Sequence, residues 1–546
     1  MNRILMKQRL IVIGFLIGLV LFGCAVPPPV LIEKAEPEIR VGLVRGVDYI
    51  DFSFHKTCRI ASYDGSFFAK GMEGKWWRAE VKQSVPARKI YRLVAGSFRD
   101  ENRAREKSQD LKNNGLDTFV KSFGRTLEIN GKLLNDNRYY RIYLRQIFSN
   151  QEEAESYRDS IWNRAETFVS GEVFQKATGT IQLRNIESGQ IFESARPIVL
   201  RGSPITLYEV PVGNGYHWER TEERVYPEKI RFELDDAGKL VVINELPVEE
   251  YLLGVVPSEM SGEFPLEALK AQTVAARSEL FSKLGVVHSS DPFDVCADVH
   301  CQVYSGLSKR THKSDRAVRS TTGCVLYDNG RVCDAVYSAV CGGHGESAEQ
   351  AWRSRLIPYL EGRYDGPYSY DQYGDLESES NVKRWIDARP RVYCNSLHKH
   401  CPRALEYTQK YFRWEVPVTQ EELQSIVRLK TGRDPGFILD MLPVKRGVSG
   451  RITKLQIIGT GDTIEVNGEL EIRKKLSENT LWSSCFYIEK RGPSGLPPTG
   501  FLIKGAGWGH GVGMCQTGAA TMAICGKKYE EILGHYYHGA RIKCVY

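Results

Sequence analysis

Apolar and polar positions change period several times along this chain, and each change marks an element. Leu10 to Phe22 is an apolar run, preceded by Arg3, Lys7 and Arg9 and closed by Gly23-Cys24. Alternation then predicts strands over Ile39–Val44, Tyr49–Phe54 and Phe67–Gly71. From about Arg88 the pattern becomes strand then helix, and it occurs twice. Tyr91–Phe98 leads into a helical stretch with Ala104 and Leu111, and Tyr140–Phe148 leads into one with Ala154 and Tyr157. After about Glu172 strands return, over Thr178–Arg184, Ile191–Ser194, Ile198–Gly202, Ile230–Leu234 and Leu240–Ile243. Leu246 to Arg277 predicts two helices, with Pro247 and Pro265 at their openings, where a missing N–H costs nothing. Pro257 is expected to end the first helix and leave Glu259 in a tight connection between packed apolar segments.

These elements predict an α+β chain: a strand-rich domain with a helical segment, plus a small module of four strands backed by two helices. On the second helix, Lys270, Val274, Arg277 and Phe281 fall along one side, and Leu269, Ala276 and Leu280 mark an adjacent apolar stripe. Lys270 and Arg277 are therefore expected to face one groove and hold an anionic or hydroxyl-rich substrate; a solvated basic face is the alternative. Near the C-terminus Gly505, Gly507, Gly509, Gly511 and Gly513 alternate along a strand-like segment, which lets a ligand or another backbone approach closely. Trp508 can stack on a sugar ring, and His510 presents an imidazole from the same segment.

Composition narrows the function. A net charge of +7 on 546 residues is mild and has no local basic run, which argues against a nucleic-acid binder. No segment after Phe22 is long and apolar enough to span a bilayer, which takes roughly 20 residues. The basic, apolar and small-residue order at the N-terminus is that of a secretory signal over 1–23. Leu21-Phe22-Gly23-Cys24 resembles a bacterial lipobox, in which Cys24 becomes the acylated first residue; 24–38, with Pro27, Pro28 and Pro29, is then a stiff tether. Ala25 after the cysteine favours the outer membrane, facing the periplasm, in a cell with two membranes. Apart from Cys24, an even number of the 13 cysteines remains, which permits disulfides in an exported chain without fixing their pairing. Cys296 and Cys301 bracket His300, with His288 upstream, a spacing that suits a structural zinc site as well as a disulfide or buried thiols. Cys394–Cys401 reads as a disulfide-closed loop.

The run Leu246–Met260 followed by Phe264–Arg277 resembles the core motif of the SpoIID family, the stage II sporulation protein D family of cell-wall enzymes. Gly507-Trp508-Gly509-His510-Gly511-Val512-Gly513-Met514-Cys515-Gln516-Thr517-Gly518-Ala519 is similar to the family's second motif, and Tyr529–Gly539 to its tyrosine-rich end. The resemblance implies a lytic transglycosylase that cleaves between N-acetylmuramic acid and N-acetylglucosamine in peptide-stripped glycan and leaves a 1,6-anhydro end. It assigns Glu259 as the single general acid and base, with Glu263 and Glu267 as rivals. It places Lys270, Gln272, Arg277, Trp508, His510 and Gln516 in the cleft, and favours a structural zinc on Cys296, Cys301 and His300 or His288, with no cofactor required for catalysis. Cys515 departs from the family's serine.

The strand–helix pair resembles the SPOR domain, a binder of stripped glycan, although Gln146-Ile147-Phe148 departs from its pattern. The expected organisation is 39–84 and 173–546 for the catalytic domain, with 85–172 inserted between them. The expected partners are peptidoglycan strands, a membrane through lipid on Cys24, and other cell-wall hydrolases. A non-catalytic wall binder or amidase activator is the second reading, and a zinc amidase the third.

Overall fold

The computed structural model describes residues 36–214, 219–227, 229–352, 356–367, 372–396, 403–493 and 495–546. The signal-like run, Cys24 and Cys401 lie outside the described residues. The chain is of mixed α+β class.

A seven-stranded sheet organises the main body. Its strand Glu38–Val47 pairs antiparallel with Leu240–Pro247 on one side and parallel with Val295–Cys296 on the other. That arrangement delivers Pro247 to the start of a helix and brings Cys296 to the sheet edge. A six-stranded sheet packs nearby, and Phe52, Phe54, Trp77 and Phe232 interlock as aromatic neighbours in the core.

Residues 88–175 form a four-stranded sheet in the order Phe168–Gln175, Arg88–Phe98, Tyr139–Leu144, Thr118–Phe123. Helices α1 (Glu101–Asn113) and α2 (Gln151–Ser160) cover it. Asp100 and Asn150 cap them through Arg103 and Glu153 backbone N–H groups at 2.9 and 2.8 Å. Leu93, Ala104, Leu111, Ile142 and Ala154 give the module its own core. The strand expected to run to Phe148 stops at Leu144; Phe148 instead folds back to bridge Tyr91. The module is tied to the main body by the Asn137 amide, which donates to the Phe281 and Leu284 carbonyls, and by Arg125 on Asp294.

Helices α3 (Val248–Glu259) and α4 (Leu266–Lys283) follow, each opened by its proline. Pro257 does not end α3. It lies in the last turn, where a missing N–H removes one bond only, and the Met260 N–H still reaches the Val256 carbonyl at 3.0 Å. Glu259 is therefore the final helical residue rather than part of a loop. Every position of α4 from Ala271 to Phe281 is buried, so that stretch has no solvent face.

Residues 414–505 contribute two three-stranded sheets around a separate core that includes Trp414, Leu455, Phe486 and Phe501. A disulfide joins Cys324 to Cys544 across two paired strands. No helix among the described residues is long and apolar enough to cross a membrane.

Candidate active site

A cleft of 1740 Å³ opens where the end of α3, the 296–303 loop, the short strand Tyr337–Ser338 and the 508–510 turn converge. Glu259 lines it, only partly exposed. The Val303 backbone N–H donates to its Oε1 at 2.6 Å. Burial raises the pKa to about 7; Glu279 adds to the rise, while the Val303 N–H, Lys283 and the Tyr337 hydroxyl oppose it. A carboxyl poised there can both give and take a proton near neutrality. Glu279 is buried behind it, bonded to Lys283 at 2.6 Å and to the Gln302 amide at 2.8 Å.

The segment Gly507–Gly513 is not a strand. Gly507, Gly509, Gly511 and Gly513 all have positive φ, so the chain winds through left-handed turns at every second residue. A Cβ at Gly511 would meet the Arg451 guanidinium, and one at Gly513 the Val336 carbonyl oxygen. This winding places both nitrogens of His510 in bonds: Nε2 lies 3.0 Å from the Tyr337 carbonyl, and Nδ1 accepts from the Val512 N–H at 3.0 Å. Nε2 is thus the protonated nitrogen. Burial, then the charges of Arg451 and Arg473, press the pKa down to about 3. His510 is a neutral bracket for the cleft wall. Trp508 also lines the cleft and lies 4.3 Å from the Tyr411 ring.

Three expected substrate residues, Lys270, Gln272 and Arg277, are elsewhere. Arg277 is fully buried, paired with both Glu249 carboxylate oxygens at 2.8 and 2.6 Å and bonded to the Cys324 carbonyl. Lys270 pairs with Glu267 at 2.8 Å and lies over the Tyr529 ring. Because α4 is buried from Ala271 to Phe281, Arg277 finds its partner inside the fold instead of facing a groove, and Lys270 pairs along its own helix. Glu267 is likewise held by Lys270 and by the Tyr529 N–H. Gln272 is completely buried; its Oε1 accepts from Gln516 Nε2 at 3.1 Å. Gln516 does reach the cleft, but its Nε2 also donates to the Glu259 backbone carbonyl at 3.0 Å. These two glutamines hold the end of α3 from behind. Glu263 lines the cleft rim, close to Lys313.

The 288–301 residues come together. Ligand atoms of His288, Cys296, His300 and Cys301 all lie within 4.8 Å of one another. His300 Nδ1 is 3.9 Å from Cys296 Sγ and 3.5 Å from Cys301 Sγ, near the roughly 3.5 Å spacing that tetrahedral bonds to zinc impose. His288 Nε2 is buried with no hydrogen-bond partner, while its Nδ1 is fixed by Asp291 at 2.6 Å. An orphaned nitrogen facing two thiols, oriented by a carboxylate on the other side of its ring, is the arrangement a metal-binding histidine takes. The two cysteines are not joined to each other.

Sequence reasoning missed the aromatic wall. Trp352, Tyr407 and Tyr411 line the cleft with Trp508, and Trp352 lies 5.0 Å from the His510 ring. Trp352 and Tyr407 are about half exposed, unusual for large aromatics, but exposure has no periodic signature outside a regular element. Tyr337 and Ser338 also line the cleft with buried hydroxyls, that of Tyr337 near Glu259.

Comparison with known proteins bears on this site. A family model described as "Stage II sporulation protein" matches residues 236–327, which contain Glu259, α4 and the Cys/His cluster. Another, "Domain of unknown function (DUF8618)", matches 346–513. An uncharacterized protein of Brachyspira hyodysenteriae (strain ATCC 49526 / WA1) is 32% identical over 339 residues, covering 59% of this chain and 78% of that one. The "Stage II sporulation protein D" of Bacillus subtilis (strain 168) is 27% identical over 314 residues, 55% of this chain and 75% of that one. The "Amidase enhancer" of the same strain is 27% identical over 320 residues, 53% of this chain but 40% of that protein.

Proposed function

We propose that the chain, whose residues 236–327 match the stage II sporulation protein model, is a lytic transglycosylase of bacterial peptidoglycan. The observation that carries the reading is Glu259: a part-buried carboxyl lining the cleft, held by the Val303 N–H, with burial raising its pKa to about 7. Protonated, it donates to the glycosidic oxygen between N-acetylmuramic acid and N-acetylglucosamine. As carboxylate, it then removes the proton of the muramic C6 hydroxyl, whose oxygen closes on C1 to give the 1,6-anhydro ring. Hydrolytic glycosidases need a second carboxylate to activate water or attack the sugar. Glu279 does not supply one, because its oxygens are taken by Lys283 and Gln302.

Trp352, Tyr407, Tyr411 and Trp508 offer aromatic surface for sugars, and Lys474, which also lines the cleft, suits carboxyl groups of the muramic lactyl arms. Gln272 and Gln516 are positioning residues, since they hold the backbone of Glu259 rather than sugar. His288, Cys296, His300 and Cys301 would hold a structural zinc, which would brace the 296–303 loop that supplies the Val303 N–H. Catalysis itself requires no cofactor in this scheme.

The 88–175 module is a SPOR-like glycan binder in this reading. Its sheet sets Lys121 and Arg141 over the Phe123 ring and Arg92 and Arg145 over the Phe119 ring, a mixed cationic and aromatic surface. Cys24 would carry lipid and keep the exported chain at the envelope, within reach of the wall and of other wall hydrolases.

One specific comparison favours a second reading, a non-catalytic wall protein that stimulates an amidase: the relative named an amidase enhancer. Incubation of the purified chain with peptide-free glycan, followed by mass analysis of chain ends, separates the two. Anhydro ends are expected. Reducing ends would indicate a hydrolase, and unchanged glycan with retained binding would support the enhancer reading.

A further inference from the structure

We propose that Cys341, Asp365, Cys394 and Cys515 form a second, fully enclosed metal site of the zinc class, separate from the His288–Cys301 cluster. The four residues are all buried, and their ligand atoms lie within 4.8 Å of one another. Cys341 Sγ is 3.6 Å from Cys394 Sγ and 3.1 Å from Asp365 Oδ2. Tetrahedral bonds to zinc place sulfur atoms about 3.8 Å apart and sulfur and oxygen about 3.5 Å apart, so contraction onto an ion needs only small shifts. Three thiolates and a carboxylate select zinc over hard cations, and four protein ligands leave no open position, as in a structural site.

The surroundings are built for such an ion. Asp365 turns Oδ2 inward while Oδ1 is held by the Tyr536 hydroxyl at 2.9 Å and by His535 Nε2 at 3.2 Å. Outer contacts of that kind orient ligating carboxylates. Cys515 Sγ accepts the Cys341 and Gly518 backbone N–H groups, each at 3.3 Å, and Cys341 Sγ accepts the Gly343 N–H at 3.3 Å. Bonds from N–H groups to sulfur favour the thiolate.

Charge provides a second, independent argument. A divalent ion on three thiolates and one carboxylate leaves the centre with two excess negative charges. Arg413 is buried beside it and has no carboxylate partner among the described residues; its bonds run to the Ile386, Gly342, Phe412 and Trp385 carbonyls. The ionisable groups that attract it are thiols, those of Cys394 and Cys341 among them. Arg451, fully buried, also donates to the Cys341 carbonyl at 3.1 Å, but it has the buried Glu346 carboxyl nearby, which leaves Arg413 as the unmatched cation. A buried arginine such as Arg413, with no acidic partner among the described residues, is costly unless a buried anion lies near.

The site would pin four distant segments together. Cys341 follows the cleft strand Tyr337–Ser338, Cys515 precedes Gln516 behind Glu259, and Asp365 and Cys394 lie within the 346–513 segment. The metal would thus anchor that segment to the cleft wall.

Metal content of the full chain, purified with a thiol reductant and measured by elemental mass spectrometry, tests the site. Cys394→Ser and Asp365→Asn are each expected to remove one equivalent of zinc while leaving any metal lost in Cys296→Ser untouched. As a check that does not disturb the new site, the Cys296→Ser chain loaded with cobalt alone should show sulfur-to-metal charge transfer from three thiolates, falling to two when Cys515→Ser is added. No cobalt charge transfer in that background, zinc content unchanged by Cys394→Ser, or a Cys341–Cys394 disulfide in peptides mapped without reductant would each overturn the assignment.

Discussion

The Val303 backbone N–H meets Glu259 Oε1 at 2.6 Å, so the loop that follows the Cys296–Cys301 cluster fixes the carboxyl at the end of α3. This bond favours the ionised form, yet burial and the nearby Glu279 outweigh it and leave the group with a pKa of about 7. One loop therefore aims the acid, and the enclosure tunes it.

The first consequence concerns pH. The acid step needs Glu259 protonated, so kcat/KM on glycan should be flat below about 7 and fall about tenfold per unit above it. Stability is linked to the same group. Its folded pKa exceeds the unfolded value of 4.5, so the folded state holds the extra proton between the two. That contribution is complete below 4.5 and is lost as pH rises towards 7. Glu259→Gln should abolish cleavage, keep glycan binding, and unfold at a higher temperature than the parent at pH 8. The gain there should reach up to about 3 kcal/mol, and should vanish at pH 4. Thermal scans at the two pH values check it; equal stability at both would remove the case for a strained acid.

Arg277 should be a folding residue. Its guanidinium bridges both Glu249 oxygens, and Glu249 also accepts the Tyr546 hydroxyl at 2.6 Å, joining α3, α4 and the C-terminus. Arg277→Ala leaves a buried carboxylate unpaired and should cost about 3–5 kcal/mol in urea unfolding. KM of the folded fraction should not change. A raised KM with unchanged stability would return Arg277 to the cleft.

Much of this arrangement was legible in the sequence. Pro247, Pro265 and the apolar run between them marked both helices, and period-two alternation located strands such as Tyr49–Phe54 and Ile230–Leu234. Local signals misled where tertiary structure decides. Spacing put Arg277 in a groove, because nothing local reveals Glu249 as its partner 28 residues earlier. Period two at Gly505–Gly513 suggested a strand, but alternate glycines serve equally for alternate positive φ, which only the neighbouring chain dictates. Cys341, Cys394 and Cys515 are too far apart in sequence to read as one cluster, whereas Cys296 and Cys301 are close enough to be noticed.

His510 should not titrate near neutrality. With Nε2 on the Tyr337 carbonyl and Nδ1 on the Val512 N–H, protonation would break a bond as well as place a charge beside Arg451. The depressed folded pKa means the unfolded chain binds the proton first. Stability should therefore decline by at most about 1.4 kcal/mol per unit as pH falls below 6.5. NMR of the ring carbon should show no midpoint between pH 5 and 8. A midpoint near 6.5 would instead make His510 an available acid.

The backbone winding at Gly513 makes a sharper demand. Its φ of 69° excludes most side chains, and a Cβ there would strike the Val336 carbonyl oxygen. Gly513→Ala should lose at least about 1–2 kcal/mol from the dihedral alone and more from the collision. Because Val336 precedes Tyr337, the displaced strand should also lower kcat on glycan in whatever protein folds. Gly526→Ala is the control: its φ is also positive, at 86°, but nothing lies within 4 Å of the added atom. It should pay the dihedral cost only and keep kcat.

Trp352 offers the cleanest separation of binding from folding. It is 46% exposed and lies in the cleft beside His510, so its removal leaves no cavity in the core. Ring stacking on a sugar is worth about 1 kcal/mol, so Trp352→Ala should raise KM for glycan about fivefold with kcat and unfolding midpoint nearly unchanged. Leu429→Ala, at a residue 80% exposed and outside the cleft, should change none of the three. If Trp352→Ala lowers kcat and leaves KM alone, the ring supports the His510 bracket rather than the substrate, and the sugar path must run along Tyr407 and Trp508 instead.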